Sequence, residues 1–83
     1  MSYNGYKDRD SWNMALHINN DEQLYYLAEK AMKVCDYKLS DSVYEFVSLC
    51  YKADRFATSD HTAINYENCK EYFELTIAEI KNV

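Results

Sequence analysis

The sequence predicts an all-α fold, a compact bundle of about four helices behind a short N-terminal arm. Three observations carry that prediction. The chain of 83 residues has no proline and one glycine, which removes the usual material for hairpins and phosphate-cradling turns. Three segments repeat apolar residues at helical spacing, each behind a residue suited to cap free amide groups. The strict alternation of Trp12, Met14, Leu16 and Ile18 stands in a chain with no second strand to pair with. One helical domain over residues 1–83 follows, because a chain this short encloses a single core.

The arm comes first. Tyr3 and Tyr6 flank Asn4-Gly5, a dipeptide that favours a tight turn, and the mixed charges Lys7, Asp8 and Arg9 follow. A short helix is expected over residues 10–18, capped by Asp10 or Ser11, with Trp12, Ala15, Leu16 and Asn19 along one face. Trp12 is the only tryptophan and is expected to anchor the core.

Asn20-Asp21-Glu22 ends that helix and starts the next. Asn20 is expected as the cap, Asp21 and Glu22 as first-turn acids, and Gln23 at the reach-back position of a capping box. Leu24, Leu27, Ala28, Ala31 and Cys35 form the apolar stripe, widened by Met32 and Val34, while Tyr26, Glu29, Lys30 and Lys33 face outward.

Ser40 followed by Asp41 marks a third helix, with Val43, Phe46, Val47 and Cys50 inward, Tyr44 and Tyr51 at the edge, and Asp41, Glu45, Ser48 and Lys52 outside. The longest loop runs from Phe56 to Asn65, with Phe56 and Ile64 expected to pin its ends. Thr62 or Asn65 then caps the last helix. Tyr66, Cys69, Phe73, Thr76, Ile77 and Ile80 form its inward row, and Glu67, Lys70, Glu71 and Glu74 its outer face.

Charge and cysteine usage narrow the function. Nine basic against 14 acidic residues leave a net charge of -5, which argues against direct nucleic-acid binding, since that needs a basic patch to displace counterions. No apolar run approaches the roughly 20 residues that span a bilayer, and the N-terminus lacks a signal-peptide core, so no membrane role is expected. Three cysteines, none in a C-x-x-C motif, fit a reduced cytoplasmic setting.

Chemistry is thinly represented. Cys35, Cys50, Cys69, His17 and His61 could ligate zinc, yet no two lie close in sequence, and the cysteines fall on inward stripes where cysteine packs as a small hydrophobe. Ser40 and Ser42 are explained by a helix start, and Asp8 and Asp10 by a solvated arm. No catalytic residue, metal or cofactor is assigned, and the chain reads as non-enzymatic.

Binding is better supported. Asp41 and Glu45 on helix three, with Glu67, Glu71 and Glu74 on helix four, could present negative charge to a basic groove. The ordinary alternative is a solvated helix face, and five lysines and arginines between residues 21 and 60 dilute the field. Tyr66 on helix four and Tyr3 and Tyr6 of the arm are the aromatic contact candidates beside these acids, with Tyr26, Tyr44 and Tyr51 as further rings.

Tyr3-Asn4-Gly5-Tyr6, then Ser11-Trp12-Asn13, then Leu16-x-Ile18-x-Asn20-Asp21-Glu22 resemble a family of small phage and prophage proteins over roughly the first third of the chain. That family opens on a Y-N-G-W-like turn, continues through T-W-N and reaches N-D-E-x-x-Y. Here Tyr6 replaces its tryptophan, Ser11 its threonine and His17 a second aromatic, and its acidic, tryptophan-bearing C-terminal segment is missing. The resemblance implies a viral or mobile-element origin. Small acidic proteins of that origin are often anti-defence factors, so the expected partner is a host defence effector complex, a CRISPR effector foremost, in the cytoplasm of an infected bacterium. The alternative is a self-associating module with a tyrosine-rich homodimer interface.

Overall fold

The computed structural model describes residues 5–82, and within them lie four helices: α1 (Arg9–Asn20), α2 (Glu22–Val34), α3 (Leu39–Lys52) and α4 (Tyr66–Lys81). The helices touch in a closed ring, α1 on α2, α2 on α3, α3 on α4 and α4 back on α1. This is the expected all-α bundle. Tyr3 lies outside the described residues.

Capping explains where each helix begins. Asp8 accepts from the Ser11 N–H at 2.8 Å, so α1 starts one residue earlier than the expected 10–18 and Asp8, exposed as expected, is also its cap. Asp21, not Asn20, caps α2 through the Leu24 N–H at 3.1 Å. That shift of the cap by one residue puts Leu24, not Gln23, at the reach-back position, and Gln23 instead accepts from Arg55 Nη1 at 2.6 Å. The backbone of Lys38 opens α3 without a side-chain cap, and Ser40 sits inside the first turn. Of the two candidates for α4, Asn65 is the cap, accepting from the Asn68 N–H at 2.9 Å.

Helix ends are equally specific. The Tyr37 N–H reaches the Met32 carbonyl and the Asp36 N–H that of Lys33, and the same pattern recurs as Arg55 to Cys50 and Asp54 to Tyr51. Both are Schellman closures, with Asp36 (φ 55°) and Asp54 (φ 59°) in the left-handed position that glycine usually fills.

The core centres on Phe46 and Phe73, both fully buried, with ring centroids 5.3 Å apart at a tilt of 54°. Met14, Ile18, Leu24, Val43, Ile64 and the thiols of Cys50 and Cys69 complete its solvent-free centre. Trp12 does not anchor it. The buried residues of α1 are Ser11, Asn13, Met14, Ala15 and Ile18, which turns half-buried Trp12 to the flank and leaves Leu16 and Asn19 exposed. Val34, Ile80 and Phe56, expected inward, are exposed as well, while Cys35 is half-buried. Each lies at or beyond the end of its helix's apolar stripe.

Candidate partner-binding faces

Helix α4 carries the expected acids, and the arm closes on them. The Lys7 N–H donates to both carboxylate oxygens of Glu71, at 2.9 and 3.2 Å, and its Nζ stands 3.3 Å from Glu67 Oε2. Glu67 and Glu71 sit one helical turn apart and would otherwise repel, and Lys7 relieves this with its ammonium on Glu67 and its backbone N–H on Glu71. Glu74 continues the row, exposed, beside a shallow depression that Lys7, Lys70 and Glu71 also line. Tyr6 packs half-buried against the core next to the same row. Burial pushes its phenol above the ordinary 10.0, with the charges of Glu71 and then Glu79 adding to the effect.

Asp41 and Glu45 fall elsewhere. They stand on α3, and Tyr66 links that helix to α4: its ring lies 4.8 Å from that of Tyr44, and its hydroxyl 3.1 Å from Ser40 Oγ. The Cys35 thiol is pushed up by burial, then by the charges of Glu45 and Asp41. The expected acids thus form two groups, Glu67, Glu71 and Glu74 beside Lys7 and Tyr6 on α4, and Asp41 and Glu45 near Cys35 on α3, while Tyr66 packs with Tyr44 and Ser40 on the other edge of α3.

The outer side of α3 is richer in aromatic surface than its spacing suggested. Tyr44 is 64% and Tyr51 49% exposed, and each is propped by a ring from the next element, Tyr44 by Tyr66 and Tyr51 by Phe56, edge-on at 5.0 Å.

A third constellation joins the long loop to α1. Buried Asn13 accepts from Thr58 Oγ1 at 3.0 Å and donates to Asp60 Oδ2 at 2.9 Å, and His17 Nε2 stands 3.2 Å from the same oxygen. These bonds, from Asn13 first and His17 second, hold the Asp60 carboxyl below its ordinary value. The loop itself closes through the Thr58 N–H on Thr62 and the Ile64 N–H on Phe56. Residues 43 to 47 apart in sequence meet here, and no local spacing announces them.

A family model matches residues 1–82. The chain belongs to the family of unknown function DUF7249. The match runs through all four helices of this DUF7249 chain, well past the first third in which the N-terminal motif lies. Comparison with curated proteins and with solved structures returns no match.

Cys50 and Cys69 are free thiols pushed up by burial to about 12, far from the thiolate a nucleophile or a metal requires. Among the described residues no three His, Cys, Asp or Glu side chains converge as a metal site. No helix among them is long and apolar enough to cross a membrane.

Proposed function

We propose that this protein is a non-enzymatic inhibitor of phage origin, anti-CRISPR-like, that binds a host nucleic-acid-handling defence complex and occludes its basic surface. One observation carries the reading. Glu67, Glu71 and Glu74 line the outer flank of α4, and the row already holds an ammonium and a backbone N–H, both from Lys7. A basic groove offers the same two kinds of donor to a phosphate track, and carboxylates at helical spacing answer them in kind. The resemblance of the Tyr3-Asn4-Gly5-Tyr6 segment to phage proteins supports the origin, and the net charge of -5 supports a basic partner.

The test is affinity purification of the tagged protein from the bacterium in which it acts, with a plaque assay beside it. The expected result is recovery of a nucleic-acid-handling complex, protection of infecting phage, and loss of both on Glu67→Lys with Glu74→Lys. Binding should also weaken steeply with salt. Recovery of no such complex together with no protection removes the proposal.

A further inference from the structure

The exposed face of α3 is sorted along two edges. Successive residues of a helix are turned by about 100°, which sets Ser48 nearly opposite buried Phe46 and at the centre of the outer face. Tyr44 and Tyr51 lie on one side of Ser48, both exposed and seven residues apart, hence on one line. Asp41 and Lys52 lie on the other side, also exposed, the acid toward the start of the helix and the base at its end. The two aromatic residues are each backed by a further ring, at 4.8 and 5.0 Å, so they present firm surface with little torsional freedom left to lose.

This arrangement is complementary to itself when turned end for end. A two-fold axis across the helix pair keeps each edge on its own side and reverses its direction. Tyr44 then meets Tyr51 of the second copy, and Asp41 meets Lys52 of the second copy, while the small Ser48 at the centre lets the two backbones approach. A two-fold axis parallel to the helices would instead exchange the edges and set the charged edge of one copy against the aromatic edge of the other, leaving Asp41 and Lys52 without partners of opposite charge.

We infer that the outer face of α3 is the interface of an isologous antiparallel homodimer, with a second copy of this chain as its occupant. It is a site distinct from the α4 row, and a dimer carries two such rows. The contact, about 21 Å of helix widened by Phe56 and Tyr66, is small for a specific interface, so the expected affinity is micromolar.

Sedimentation equilibrium of the whole chain over a wide concentration range tests this. The expected result is a reversible monomer–dimer equilibrium. Ser48→Arg, at an exposed position that leaves the core untouched, should raise Kd at least about tenfold, the scale of a disrupted interface centre. Asp41→Lys and Lys52→Asp should each weaken the dimer about threefold and restore it when combined, because only the combination pairs opposite charges again. As a second measurement, Ser48→Cys in a Cys35→Ser background should cross-link copies on mild oxidation. A monomer at high micromolar concentration overturns the inference, and so does a dimer indifferent to Ser48→Arg and to the charge exchange.

Discussion

Arg55 Nη2 donates to Asp21 Oδ2 at 2.7 Å while the other oxygen of the same carboxylate caps α2 through the Leu24 N–H at 3.1 Å. One side chain thus starts a helix and ties down the segment that follows α3. The Arg55 hydrogen bond is the main reason the Asp21 carboxyl lies below its ordinary 3.8, with the Leu24 N–H contributing less. A depressed folded value stabilises the protein fully above the unfolded pKa and is lost as pH falls through the folded one. Asp21→Asn keeps a cap of equal quality and removes the charge, so it should cost at most about 1 kcal/mol near neutrality, because the pair is partly exposed. Asp21→Ala removes the cap as well and should cost about 1–2 kcal/mol. Urea titrations at neutral and acid pH check both, and the gap between wild type and Asp21→Asn should close at the acid end.

The two Schellman closures make a prediction of the opposite sign. Asp36 and Asp54 hold positive φ on exposed positions, where a side chain gains nothing and the Cβ strains the backbone. Asp36→Gly and Asp54→Gly should each stabilise the protein by about 0.5–1 kcal/mol, despite the greater freedom glycine gives the unfolded chain. The two sites end different helices, so their effects should add. Thermal unfolding reads this directly, and a loss of stability in both would mean that the aspartate side chains do something the backbone geometry does not require.

Thr58 holds the long loop from inside. Its hydroxyl donates to Asn13 and accepts from the Thr62 N–H at 3.1 Å, all in a buried setting. Thr58→Val strips both partners at once and should cost about 1–3 kcal/mol, the range for orphaned buried polar groups. The loss should be local first. Hydrogen exchange should quicken at the Thr62 and Ile64 amides before it does in the helices, and a uniform loss of protection would show that the loop opens only with the whole fold.

These relationships also mark how far the sequence reaches. Helix count, order and the stripes of α2 to α4 follow from 3.6-residue periodicity, because burial of Leu24, Ala31, Phe46, Cys50, Cys69 and Phe73 is what makes those helices fold. Trp12 was legible only as large and apolar, and size alone does not say which way a residue faces on a helix whose buried row includes Ser11 and Asn13. The acids of α4 were visible, but not their cation: Lys7 is 60 and 64 residues from its partners, and nothing local links an arm to the last helix. The Asp60 cluster escaped for the same reason. Pairing over such distances is decided by packing, after the helices exist.

The arm gives the last prediction. Lys7 meets Glu71 through its backbone N–H and Glu67 through an exposed ammonium, so the two substitutions one would make are not equivalent. Lys7→Ala keeps the backbone bond and should leave stability nearly unchanged, within about 0.5 kcal/mol for an exposed ion pair. Glu71→Gln keeps an acceptor but removes the charge beside Tyr6, and the Tyr6 phenol should then titrate closer to 10.0 than it does beside the carboxylate. It should not return fully, because burial is the larger cause. The ring resonances of Tyr6 followed through alkaline pH separate it from Tyr72, which burial also raises. A Tyr6 titration unmoved by Glu71→Gln but shifted by Lys7→Ala would reverse the roles assigned to the two residues, making the ammonium the anchor of the arm.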